Sequence, residues 1–155
     1  MRCVVQRSGP AQVTVDGRVT GKIDSGLVVL AAFSPEDTET ELTWMARKLP
    51  RLRIFRDDED RMNLSLEDVG GGILLVSQFT LYGNCRKGMR PSFVGSAPPD
   101  RARDLYKEFG RLLRREWPTV AEGEFGAMME VSLVNDGPVT LILDRDAPAP
   151  PKDPE

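Results

Sequence analysis

Two apolar runs, GLVVLAAF over residues 26–33 and GGILLVSQFTLYG over residues 71–83, set the strongest limit on what this chain can become. Neither alternates apolar with polar residues, so each reads as a strand buried on both faces. Such strands need paired edges and cover above and below, which a single domain of 155 residues can supply. The flanking segments fit that demand. RCVVQ (2–6) is a short strand, and QVTVDGRVTGKI (12–23) alternates on both sides of Asp16-Gly17, the pattern of a tight hairpin.

Ser34 as N-cap, Pro35 at the first helical position and the acids Glu36 and Asp37 behind it predict a helix start. Leu42, Met45, Ala46 and Leu49 then share one face, and Pro50 ends the helix. RLRIF reads as another short strand before the acidic DDEDRMN turn. A second helix is expected over 99–116, with Leu105, Phe109, Leu112, Leu113 and Trp117 as an apolar stripe. Arg103, Lys107, Arg111 and Arg114 form a basic one. AMMEVSLV and GPVTLILD predict a closing strand pair. The order of elements argues an α+β domain with a mostly antiparallel sheet over residues 1–145. Residues 146–155, rich in proline, are expected to be a disordered tail.

Composition narrows the chemistry more than the fold. The chain has no histidine, which removes the commonest general base, the Ser-His and Cys-His nucleophile pairs and the usual zinc ligand. Catalysis must rest on carboxylates, hydroxyls, lysine, the main chain or the substrate itself. The two cysteines, Cys3 and Cys85, form neither a disulfide framework nor a metal spacing. No metal or cofactor is expected. Asp57 to Asp60 lacks the alternating ligands and glycine of a calcium loop and reads as a solvated turn. No apolar run reaches the roughly 20 residues of a membrane span, and the N-terminus has no signal-peptide pattern, so a cytoplasmic protein is expected. Net charge is −3, yet Arg86, Lys87 and Arg90 cluster on a glycine-containing loop that could track a phosphate backbone. For the basic stripe of the second helix, a solvated face is the simpler reading.

Two short stretches stand apart. Ser77-Gln78-Phe79-Thr80 places polar side chains at the end of a very apolar strand, either as an emerging strand end or as a polar pocket at the sheet's edge. Asn135-Asp136-Gly137-Pro138 taken alone is a turn, with an awkward proline opening a strand. Cys85 beside Arg86 and Lys87 is a conceivable reactive thiol, but no base accompanies it.

Together, SQFTL and NDGPVT, with MRCVVQR, LRIF, MNLSLEDVGG, RKGMRPSF and FGAMMEV in this order, make the chain resemble the D-aminoacyl-tRNA deacylases over nearly its whole length. The resemblance implies a homodimer of small β-barrel-like subunits with two helices each, and active sites at the subunit interface. It implies hydrolysis of the ester of D-aminoacyl-tRNA, and of glycine mischarged on alanine tRNA, without a cofactor and with help from the substrate's 2′-hydroxyl. Ser77, Gln78, Phe79 and Thr80 would wall the catalytic pocket and adenosine site. A cis Gly137-Pro138 would select against L-amino acids by main-chain exclusion, supported by Val139 and Thr140, with Phe125 and Ala127 close by and Arg7 bracing the Gly-Pro carbonyls. Arg86, Lys87 and Arg90 would meet tRNA. Two other readings are a non-catalytic binder of the tRNA 3′ end and a hydrolase with Thr80 or Cys85 as covalent nucleophile. Pro10, the entry AAFSPED and Met128 depart from the family's usual pattern, the last where aspartate is usual.

Overall fold

The computed structural model describes residues 1–147. Residues 148–155, most of the expected tail, lie outside the described residues. Strand β1 (Arg2–Val15) organises the sheet because it is long enough to serve two neighbours on one edge. Its first half pairs antiparallel with β3 (Gly26–Ala32), from Arg2↔Ala32 to Ser8↔Gly26. Its second half pairs with β2 (Arg18–Ile23) through the expected hairpin at Asp16-Gly17. The other edge of β1 is covered by β8 (Glu130–Asp144).

The remaining sheet pairings are parallel. β6 (Gly72–Ser77) lies beside β3 from Gly26↔Gly72 to Ala31↔Ser77, and β7 (Val120–Glu122) lies beside β6. β7 also approaches β2, so the sheet curls into a nearly closed barrel. The sheet is therefore mixed: its three pairings through β1 are antiparallel, as expected, and the two through β6 are parallel. Parallel neighbours need long crossovers, and the chain provides them as helices. Helix α1 (Glu39–Lys48) and the short α2 (Leu66–Val69) lie between β3 and β6, and α3 (Pro99–Glu116) lies between β6 and β7. Three helices, not two, complete the fold. The extra one is a single turn in SLEDV, where Ser65 and Asp68 cap each other.

Helix α1 begins four residues later than the Ser34 cap predicts. Asp37 is occupied elsewhere: its carboxylate takes the Met1 amine at 2.6 Å, both groups fully buried. Thr38 and Glu41 form the capping box instead, with the Thr38 amide donating to Glu41 at 2.8 Å. Leu49–Arg51 forms a 3-10 turn containing Pro50, so RLRIF becomes extended only at its end, as β4 (Phe55–Arg56) against β5 (Met62–Leu64). The expected final strand pair is one strand. β8 runs through Asn135-Asp136-Gly137-Pro138 without reversing, and the register on β1 shifts there instead.

β3 and β6 are buried on both faces, as their unbroken apolar runs demand. Leu27, Val29, Ile73 and Leu75 pack under Leu105, Phe109 and Leu113 of α3, while Val28, Leu74 and Val76 face Val13 inside the barrel. Burying a side chain the size of Phe109 contributes about 2–3 kcal/mol.

Burial alone would raise the Glu41 carboxyl, but hydrogen bonds from the Thr38 hydroxyl and amide more than offset it and hold the group below the usual carboxylate range. A depressed folded pKa contributes stability above the unfolded value of about 4.3 that is lost as pH falls through the folded pKa. Thr38→Ala is expected to cost about 1 kcal/mol at neutral pH, read as a lower urea midpoint with unchanged slope. The deficit narrows as pH falls below the unfolded value and through the lower folded pKa of Glu41.

Candidate active site

At the C-terminal ends of the parallel pair the chain opens a pocket of about 500 Å³. β3 contributes Ala31 and Ala32 to its floor and β6 contributes Ser77, followed by Gln78 and Phe79. Phe93, Pro98, Pro99 and Ala102 close one side, and Phe125 the other. The strand does not simply run out into solvent. The Gln78 amide extends the ladder by donating to the Ala31 carbonyl at 2.8 Å, and Phe79–Tyr82 then turn as a 3-10 helix. That turn ends the side-chain alternation expected past Ser77.

The lining is aromatic with few polar groups, the composition of a site for a flat, polar-edged ligand. Phe79 and Phe93 meet edge to face at 5.2 Å between ring centroids, and Phe125 packs against Tyr106 at 5.6 Å. Tyr106 donates to the Leu75 carbonyl at 3.1 Å, and burial pushes its phenol well above the usual tyrosine range. Ser96, also in the lining, has a buried hydroxyl with no partner among the described residues. The side-chain amide of Gln78 donates to the Thr80 hydroxyl. Thr80 itself lies outside the lining, and Ala127 packs against the barrel-side core with Met129 and Val131. Among the described residues no three Cys, Asp or Glu side chains converge as a metal cluster.

The second segment sits elsewhere on this chain, as an exposed kink in β8. The Gly137-Pro138 peptide is cis. Gly137 has φ +144°, and a Cβ there would lie 2.8 Å from the Val139 side chain, 2.9 Å from its amide nitrogen and 3.1 Å from the Arg7 guanidinium. Only glycine fits without rearrangement. Two side chains pin the kink. Asn135 spans it: its carbonyl oxygen accepts from the Val139 amide at 2.8 Å, and its NH₂ donates to the Val139 carbonyl at 3.2 Å and the Thr140 hydroxyl at 3.0 Å. Arg7, almost wholly buried, donates to the Asp136 carbonyl at 2.9 Å and to the Ile54 carbonyl at 2.7 Å. Its fork thus holds the carbonyl of the residue before Gly137.

Sequence reasoning passed over Asn135, Ile54 and Ser96. Asn135 lay inside a motif read as a turn, where asparagine is ordinary, and a carbonyl such as that of Ile54 leaves no mark on a sequence. Arg86, Lys87 and Arg90 are exposed on a loop closed by the Asn84↔Ser92 bridge. The basic stripe of α3 is largely neutralised, because Arg103, Arg111 and Arg114 pair with Asp100, Glu108 and Glu122.

A family model described as D-Tyr-tRNA(Tyr) deacylase matches residues 4–144, a span that includes both segments. The chain belongs to that family. Proteins named D-aminoacyl-tRNA deacylase are 56% identical to it in Thermus aquaticus, over 93% of this chain and 95% of the relative, and 57% identical in Chlorobaculum parvum, over 93% and 97%. Among solved structures, the c-Myc DNA unwinding element binding protein matches with a TM-score of 0.89 at 41% identity, covering 95% of this chain and all of that one. A probable eukaryotic D-amino acid tRNA deacylase shares the fold at a TM-score of 0.81 and 21% identity, covering 93% and 98%.

Arg7 is the structural keystone of the deacylase-family kink. Arg7→Ala leaves two main-chain carbonyls without their charged donor and is expected to lower stability by about 3 kcal/mol. Arg7→Lys recovers only part of that, since one ammonium cannot span both carbonyls. Urea unfolding of the two variants measures the difference.

Proposed function

We propose that the chain is a D-aminoacyl-tRNA deacylase, a hydrolase that frees D-amino acids, and glycine mischarged on alanine tRNA, from the 3′ end of tRNA. The observation that carries this reading is the family match across residues 4–144, with an aromatic pocket at SQFT and a braced main-chain kink at NDGP. The pocket of Ser77, Gln78 and Phe79 with Phe93 and Phe125 receives the terminal adenosine, whose ring fits an aromatic slot and whose polar edge needs donors. The unpaired Ser96 hydroxyl is one such group.

In one protomer pocket and kink are separate, so the reading needs a second copy. β8 supports it: the strand is fifteen residues long, pairs on one edge only, and exposes Val134 and Ile142. An open edge of that length is a template for pairing between chains. We place the dimer there, with Gly137 and Pro138 of one subunit entering the pocket of the other. Their carbonyls receive the substrate's α-amino group, and the space for an L side chain is filled by main chain. Val139 and Thr140 hold the kink from behind, and Arg86, Lys87 and Arg90 lie toward the tRNA.

Hydrolysis needs water to attack the ester carbonyl and the ribose 3′-oxygen to leave with a proton. With no histidine to move that proton, the neighbouring 2′-hydroxyl of the substrate takes part, and the protein supplies positioning and main-chain donors such as the first amides of the Phe79–Tyr82 turn. Thr80 shapes the pocket through its bond with Gln78 rather than acting as a nucleophile.

A second reading, nucleic-acid binding without turnover, is favoured by the name of the solved relative at 41% identity, a DNA unwinding element binding protein. Deacylation of D-Tyr-tRNA against L-Tyr-tRNA separates the two. Preference for the D ester by at least about 100-fold is expected, and tight binding with no turnover of either would establish the second reading. Thr80→Ala is expected to lose less than about tenfold in kcat, against several decades for a covalent nucleophile. Gly137→Ala, strained at φ +144°, is expected to lose most activity toward D-Tyr-tRNA.

A further inference from the structure

Beyond the pocket, an open groove of about 890 Å³ runs along α1 and the 3-10 turn that follows it. Five cations and one carboxylate line it, on a chain whose net charge is −3. Two of the five are committed to holding the fold: Arg51 bonds Glu116 at 2.9 Å and Glu67 at 3.1 Å, and Arg47 lies 3.6 Å from Glu116. Lys48, Arg53 and Arg145 are different. Among the described residues none of the three is in an ion pair.

Trp44 organises two of these cations. Lys48 Nζ lies over its ring at 5.5 Å from the centroid and the Arg145 guanidinium at 5.4 Å, so like charges are gathered on one indole without a carboxylate between them. Arg53 is oriented by Asn63, whose carbonyl accepts its Nε at 2.8 Å. The Nε of Arg145 is buried without an acceptor among the described residues. Three buried side-chain polar atoms lack partners among the described residues: this one, Ser96 Oγ in the pocket and Glu41 Oε1 at the α1 cap. A buried donor left unpaired on an otherwise well-bonded chain is a place where a ligand's acceptor belongs.

Residues next to two of the groove's cations make contacts that lead toward the two functional segments. At one end Arg145 follows Asp144, which pairs with Arg2 at 2.6 Å, and Arg2 in turn donates to the Leu81 carbonyl in the turn behind Gln78. At the other end Arg53 precedes Ile54, whose carbonyl holds Arg7 and through it the Gly137 kink. We propose that this groove binds the RNA sugar-phosphate backbone, with Lys48, Arg53 and Arg145 as phosphate contacts and Trp44 as the platform that holds two of them. The inference rests on the reading of tRNA as substrate and adds to it a second contact surface, away from the ester.

The test compares wild type with Lys48→Gln, Lys48→Arg and the double variant Lys48→Gln/Arg145→Gln. Binding of uncharged tRNA is followed by fluorescence anisotropy over a salt series, and hydrolysis is measured on D-Tyr-tRNA and on D-tyrosyl adenosine, which has no phosphate. The double variant should bind tRNA about tenfold more weakly and flatten the plot of log Kd against log salt by about 1.5, the loss of two phosphate contacts. Its kcat/KM should fall on D-Tyr-tRNA and stay unchanged on D-tyrosyl adenosine. Lys48→Arg should bind as wild type does, and Lys48→Gln, an exposed change, should give about half the slope effect. Unchanged affinity and salt slope, or an equal loss on both esters, overturns the groove. If wild type hydrolyses neither ester, the deacylase reading fails, and the tRNA affinities and slopes still decide the groove.

Discussion

The parallel pairing of β3 with β6 is the constraint on which the rest depends. Both strands are buried on both faces, so each must be covered by α3 on one side and by the barrel interior on the other. Parallel pairing then obliges the chain to leave the sheet for a long crossover before it returns. It also lines up two strand ends at one place, where Ala31 and Ser77 are partners. The pocket is the space between those ends once α3 and the Phe93 loop have been laid across it. Its position follows from topology, and only its lining belongs to chemistry.

On the proposed reading, a chain without histidine obtains precision from its backbone, and the kink in β8 is where it would do so. Nothing at Gly137-Pro138 is reactive. What the surrounding residues provide is immobility: a side-chain amide bridging the kink from Asn135, and a buried guanidinium joining Asp136 to the distant Ile54 carbonyl. Carbonyls held this firmly would carry little reorganisation cost in the role proposed for them.

Much of this was readable from the residues. Unbroken apolar runs placed β3 and β6, the Asp16-Gly17 pattern placed the hairpin, and Pro99 with the apolar stripe placed α3. Where reading failed, a tertiary partner had overruled a local signal. Ser34 and Pro35 look like a helix start, but Asp37 is drawn to the Met1 amine and the capping box at Thr38 takes over. AMMEVSLV and GPVTLILD look like two strands, but β1 is long enough to hold both as one. The basic stripe of α3 is largely neutralised by its neighbours, as a solvated face would be; the groove's cations came unnoticed because four of them sit in RKLPRLR, which reads as a helix end and a strand, and Arg145 joins them only in the fold.

The start of the β3–β6 pair has a consequence for its far end. A Cβ on Gly26 would lie only 2.0 Å from the Gly72 carbonyl oxygen, so no side chain can stand where these strands begin. Any methyl group there would wedge the strands apart, and two strands held in a nearly closed barrel would relieve that by tilting toward the other end. The mouth of the pocket is five residues further on, roughly 17 Å away. Its width is therefore gauged from a distance, by hydrogen atoms where side chains would otherwise be, and substitutions remote from any ligand can retune which ligand fits.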